Sequence, residues 1–165
     1  MIKKFNIGLL VMFGLGYSKF MPGTIASFVT LLIYNFLFIL QINIFFLLIL
    51  FLVVLIYSTF IIDKLSNNFS SIDAKEIVID EFIGQSIPIL SIYFMIEPNN
   101  LIEFILLTLI SFVIFRIFDI FKPFPINLVD KKIKNGFGVI FDDVLAGVIT
   151  SIIILSFIYF IPNGQ

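Results

Sequence analysis

The 165-residue chain has neither cysteine nor histidine. Lack of cysteine excludes disulfides and thiol nucleophiles, and lack of histidine excludes an imidazole base. Together the two absences exclude Cys/His zinc sites. Charge is also scarce, at 13% of residues, and the formal net charge of -1 offers no basic excess, so nucleic acid is not expected as a partner. Any chemistry must come from carboxylates, hydroxyls, lysine and arginine.

Hydrophobic residues dominate what is left, at 61% of the chain, and the mean hydropathy of +1.19 lies far outside the range of soluble domains. The expected fold is an all-α integral membrane bundle of about five transmembrane helices. At roughly 20 residues per span, residues 1–165 form a single domain with no room for a second. Spans are expected at Thr24 to Leu40, Ile44 to Ile62, Ala74 to Ile96, Leu101 to Phe121 and Asp143 to Ile161. The run Phe5 to Gly16 is too short to cross a bilayer and carries three glycines, which predicts a short re-entrant or interfacial amino-terminal segment. Lys3 and Lys4 ahead of it also give it the look of a signal-peptide core, but no small-x-small cleavage site follows before Lys19.

These spans place the connections alternately on two sides. Lys3, Lys4, Lys19, Lys64, Lys75, Lys122, Lys131, Lys132 and Lys134 all fall on the amino-terminal side, and the opposite connections carry no Lys or Arg. The positive-inside rule therefore puts the amino terminus in the cytoplasm. Lys131, Lys132 and Lys134 are expected against anionic headgroups.

The acidic residues show the same asymmetry. In "DAKEIVIDEFIG", Asp73 and Glu76 have the spacing of a capping box, which predicts a helix starting near Ala74. Asp80 and Glu81 would then lie roughly 9 Å into that helix, where a carboxylate is costly unless paired, hydrated or metal-bound. Arg116, Asp119 and Lys122 recur at i, i+3, i+6 along the cytoplasmic end of the next helix. Asp142 and Asp143 stand where the last span is expected to begin, so they read either as site residues or as helix caps. Arg116 and Asp119 read as site residues, with a structural ion pair or a snorkelling arginine as the alternative. Glu76, Glu103 and Asp130 are expected to be solvated or interfacial. "KPFP" from Lys122 ends a helix, "NGFG" from Asn135 reads as a flexible turn, and "MPGTIAS" from Met21 combines a turn with Thr24 and Ser27 at a helix start that could hold an anion. Gly84 and Pro88 are expected to allow close packing and a kink.

Four of these segments in order, "PGTIAS", "IVIDEFIG", "FRIFDIFKPFPI" and "NGFGVIFDDVLAGV", resemble the motifs of the phosphatidylglycerophosphatase A family over nearly the whole chain. Ala26 stands where the family usually has Gly, and Asn135-Gly136 where it has a Gly-Gly pair. The resemblance implies Mg²⁺-dependent hydrolysis of the phosphomonoester of phosphatidylglycerophosphate, giving phosphatidylglycerol and phosphate, at the cytoplasmic face of the bacterial inner membrane.

The residue chemistry is compatible with this. Carboxylates without His or Cys suit a hard, oxygen-preferring cation such as Mg²⁺. Asp80, Glu81, Asp142 and Asp143 are assigned as metal ligands and, with Asp119, as catalytic residues. Arg116 and Lys122, with Thr24, are assigned to substrate phosphate. Attack by an activated water and by an aspartate nucleophile both remain open. Membrane lipids are the expected surroundings, and the sequence leaves the oligomeric state undetermined. Two competing readings are a CDP-alcohol-type phosphotransferase, whose DG-x2-AR spacing is missing, and a small cation carrier. A carrier would be expected to place its acidic cluster near the midplane.

Overall fold

A lipid interior offers backbone N–H and C=O groups no partner outside the chain, so apolar sequence at this density is confined to helices or closed barrels. In the computed structural model, which describes residues 2–96 and 100–160, every regular element among those residues is helical. In chain order these are α1 (Ile2–Leu10), α2 (Pro22–Ile39), α3 (Ile44–Leu65), α4 (Ile79–Met95), α5 (Leu101–Phe121), α6 (Ile126–Lys132) and α7 (Gly136–Phe160), with short 3-10 turns at Met12–Tyr17 and Ser66–Asn68. Four of them, α2, α3, α5 and α7, are long and apolar enough to cross a membrane. With 17 residues and two first-turn carboxylates, α4 falls short of those four.

Two helix starts differ from expectation. Residues 71–78 are bends, turns and irregular chain, and α4 begins at Ile79 behind Val78 as N-cap. Asp73 therefore caps nothing, and Asp80 and Glu81 sit in the first turn of α4 instead of 9 Å along it. Conversely, α7 begins seven residues before Asp143, at Gly136. "NGFG" is thus the opening turn of a helix and not a flexible loop. Its cap is Asn135, whose Oδ1 accepts from Gly138 N at 2.9 Å, and Asp63 Oδ1 at the end of α3 accepts from Gly136 N at 2.5 Å. Asp142 and Asp143 lie in the second turn, so the helix-cap reading of this pair does not hold. Residues 97–99, within the short connection expected between Ile96 and Leu101, and the expected end of the last span at Ile161 lie outside the described residues.

The core is built around α4, which packs most extensively on α7 and also meets α2, α3 and α5. Only 17% of the most apolar window of α3 is buried, against 44% for α2. α3 accordingly presents Phe46, Ile49, Val53 and Phe60 outward, a surface suited to lipid tails and not to water. Between helices, buried polar side chains find each other: Asn35 Nδ2 donates to Thr108 Oγ1 at 3.1 Å, and Gln85 Nε2 to Ser111 Oγ at 3.4 Å. Ser27, Thr30 and Thr150 donate back to carbonyls four residues earlier, which satisfies their hydroxyls inside apolar surroundings.

The most extensive helix contact is the crossing of α4 and α7. Pro88 has no N–H, so the carbonyl of Gly84 loses its usual helical partner. Gly147 lies directly against that carbonyl, and a Cβ at Gly147 would collide with it. A Cβ at Gly84 would come within 2.7 Å of Asp143 O and of the Phe115 ring. Small residues at such a crossing let two backbones approach closely. Gly147→Ala is expected to cost about 1–3 kcal/mol, the usual range for overpacking, read as a lower Tm of the detergent-solubilised protein. Val148→Ala, one residue on and more exposed, should leave Tm nearly unchanged.

Candidate functional site

Four helix ends meet at one end of the bundle: the starts of α2, α4 and α7 and the finish of α5. Between them lies a cavity of 350 Å³. All eight residues singled out in the sequence, Thr24, Asp80, Glu81, Arg116, Asp119, Lys122, Asp142 and Asp143, line it. Gly23, in the first turn of α2, allows the approach, because a Cβ there would collide with Glu81 Oε1.

The eight residues separate into a carboxylate trio, two ion pairs and Thr24. Asp80, Glu81 and Asp143 each offer a carboxylate oxygen, and these atoms lie within 4.8 Å of one another, so this trio could hold a metal ion. Asp80 Oδ1, Glu81 Oε2 and Asp143 Oδ2 are buried with no hydrogen-bond partner among the described residues. Buried carboxylate oxygens left in that state are expensive, and a divalent cation is one physical remedy. Oxygen-only donors fit a hard ion.

Asp142 is outside that trio, although its Oδ1 is likewise buried with no hydrogen-bond partner among the described residues. Its Oδ2 accepts from Lys122 Nζ at 2.5 Å, and Lys122 also donates to Asp130 Oδ1 at 2.8 Å. Burial works against the Lys122 ammonium, but its hydrogen bonds to Asp130 and Asp142 and their charges outweigh that and raise its pKa above the usual lysine value. The same contact with Lys122 lowers the pKa of Asp130. Asp130 stays partly exposed, as expected of a solvated or interfacial residue, and is also ion-paired. Only its sequence distance of eight residues from Lys122, across "PFP", hinted at this.

Arg116 Nη1 pairs with Asp119 Oδ2, stands 4.0 Å from Glu81 Oε1 and reaches Ser27 Oγ at 3.5 Å. The ion-pair geometry and the site geometry thus coexist in one side chain. Arg116 Nε is buried without a hydrogen-bond partner among the described residues, as is Thr24 Oγ1; a donor and a hydroxyl are thereby left available at the cavity wall. Lys122 and Met21, both lining the cavity, hold left-handed backbone at φ 40° and 43°. That conformation costs a non-glycine residue roughly 1–2 kcal/mol and recurs where side chains must be aimed at a site. Lys131, Lys132 and Lys134 are exposed.

The profile of the family described as phosphatidylglycerophosphatase A matches residues 9–158. A phosphatidylglycerophosphatase A from Escherichia coli strain K12 is 31% identical over 155 residues, covering 94% of this chain and 82% of that protein. One from Haemophilus influenzae is 41% identical over 87 residues, covering 53% of this chain, and the matched stretch spans about half of that relative's length (48%). A protein of Bacteroides thetaiotaomicron, provisionally named a phosphatidylinositol-3-phosphatase, is 39% identical over 82 residues, covering 50% of this chain and 47% of its own. No solved structure matches the chain. With the family profile covering all but the two ends of the sequence, the chain belongs to the phosphatidylglycerophosphatase A family.

Proposed function

We propose that this protein is a lipid phosphatase that hydrolyses the phosphomonoester of phosphatidylglycerophosphate at the cytoplasmic face of a bacterial inner membrane. The observation that carries the reading is the cavity itself: a carboxylate trio, an arginine and a lysine gathered at one end of a bundle of apolar helices, within a chain that matches the family over residues 9–158. A lipid phosphate lies at headgroup level, where helix ends lie. A cation carrier is disfavoured by the same placement, since the acidic groups gather at one end and not midway.

Asp80, Glu81 and Asp143 would hold Mg²⁺, which would supply polarisation of the phosphoryl oxygens and a more acidic bound water. Arg116 offers its guanidinium fork to phosphate oxygens, and Lys122 a point charge. Asp142 holds Lys122 in place and keeps it charged. Asp119 orients Arg116, and its carboxylate is also a candidate base. Thr24 Oγ1, at the positive end of α2, adds a neutral donor.

The test is phosphate release from phosphatidylglycerophosphate by the purified protein in detergent, with Mg²⁺ and with EDTA. Release that needs Mg²⁺ is expected, and no release under either condition removes the reading. Phosphatidylinositol 3-phosphate belongs in the same assay because of the Bacteroides relative's provisional name; faster release from it would change the substrate while keeping the chemistry.

The orientation and the fifth span, α4, have their own check. A reporter inserted at Asn67 should be active only in the cytoplasm, and one fused after Gln165 only outside it. Both reporters active on one side would reduce the spans to an even number.

A further inference from the structure

The cavity continues in two directions of different chemistry. Toward α6 it shares Asp73 and Asp142 with a 390 Å³ cavity whose walls also include Asp130 and Lys134. Toward the outer faces of α2 and α5 it shares Met21, Thr24, Arg116 and Ile120 with a 290 Å³ groove. Phe112, Val113, Ile117 and Phe121 complete that groove, and its walls present apolar surface only. The α5 positions recur every three to four residues along one face. From 112 to 121 they cover about 13 Å at 1.5 Å per residue, close to the roughly 15 Å of hydrocarbon in one leaflet. Val113 and Ile117 are 54% and 50% exposed, so the groove is open sideways, as a site filled from the bilayer must be.

Resting on the lipid-phosphatase reading above, we propose that the α2–α5 groove is the acyl-chain site of the substrate. One fatty chain lies along Val113 and Ile117, and the glycerol-phosphate end turns past Thr24 and Arg116 into the cavity. Continuity selects this occupant, because any lipid seated in the groove carries its headgroup to Thr24 and Arg116, the two polar residues among the four that the groove shares with the carboxylate cavity. The other opening has apolar walls at Ile72, Ile133 and Val139, but Asp73, Asp130 and Lys134 set charged groups along it, which makes it the less favourable path for a fatty chain. A chain moving from bilayer to groove exchanges one apolar surrounding for another, so its contribution is positioning by shape and not transfer from water. Filling the groove is therefore the decisive perturbation.

Val113→Trp and Ile117→Trp fill it. Leu106→Trp, on α5, 55% exposed and outside the groove, controls for a bulky residue on the lipid-facing surface. The readout is the ratio of kcat/KM for dioleoyl to dihexanoyl phosphatidylglycerophosphate in mixed micelles. The native protein and Leu106→Trp should prefer the long-chain lipid, and the groove variants should lower the ratio at least tenfold. If the native protein hydrolyses both lipids and both groove variants keep its ratio, the groove holds bulk lipid only and the proposal fails while the phosphatase reading stands. If the native protein releases phosphate from neither, the phosphatase reading falls and the groove with it. A second measurement does not depend on the variants folding. A substrate carrying a diazirine on its acyl chain should label the native protein within residues 112–121 or at Met21, and labelling confined to other helices overturns the proposal.

Discussion

Asp143→Asn is expected to lower phosphate release at least about a hundredfold, the scale on which lost metal ligands and their supports are felt, while the protein still folds. The side chain keeps its size, and the contact that Asp143 makes at Gly84 runs through its backbone carbonyl, so the approach of α7 to α4 is unaffected. What goes is the charge, together with an oxygen that is buried without a partner among the described residues. Asp80→Asn and Glu81→Gln should behave alike, since the three carboxylates form one group. All three should also weaken Mn²⁺ binding measured directly by electron paramagnetic resonance, a readout that needs no turnover. Asp142→Asn differs, because its partner is Lys122. Turnover should fall by a similar factor there, with Mn²⁺ binding much nearer to normal. Normal specific activity in Asp143→Asn, with only a lowered Tm, would mean that the trio is structural.

Arg116→Lys is the second large effect. The substitution keeps one positive charge near Asp119 but loses the planar fork and the reach to Ser27 and Glu81. A hydrogen bond to a charged group contributes about 1.5–3 kcal/mol, so kcat/KM should fall roughly tenfold to a hundredfold. The Mg²⁺ concentration giving half-activity should stay unchanged, which separates phosphate handling from metal holding. Asp119→Asn completes the comparison: a raised Mg²⁺ requirement makes Asp119 a ligand, whereas lower turnover at saturating Mg²⁺ makes it the base or nucleophile. If Arg116→Lys and Asp119→Asn are both fully active, the pair only braces the end of α5 and the site reduces to the residues on α4 and α7, with Lys122.

Much of the arrangement was legible because membrane sequence is restrictive. The bounds of α5 were expected at Leu101 and Phe121 and are found there, since an uninterrupted apolar run between "PNN" and "KP" leaves little choice. The clustering of charge at one end followed from the spacing of the spans. The misread starts have specific causes. Asp73 and Glu76 imitate a capping box, but Ala74 to Val78 are needed to carry the chain across α7 and α1, where Val78 N donates to Leu10 O at 3.0 Å. Gly136 and Gly138 look like loop residues in isolation. Their lack of side chains instead serves tertiary contact, since a Cβ at Gly136 would come within 2.6 Å of Thr59 O on α3. The separation of Asp142 from the trio could not be read either, because adjacent carboxylates on a helix diverge by about 100° and only the surrounding helices decide which way each one faces.

The α4–α7 crossing also has a consequence for how the protein tolerates its solvent. Gly84 follows Glu81 by three residues, and Gly147 follows Asp143 by four, so the crossing acts as a pivot one helical turn below the three carboxylates. Their spacing is set by backbone against backbone, the stiffest calliper a helix pair can have. Bilayers thicken, thin and change fluidity with temperature and diet, and the outward-facing residues of α3 and α5 feel those changes directly. A gauge made of two residues without side chains does not. Drift in the lipid-facing sequence can therefore follow the membrane of the day, while the opening between the carboxylates keeps its calibration.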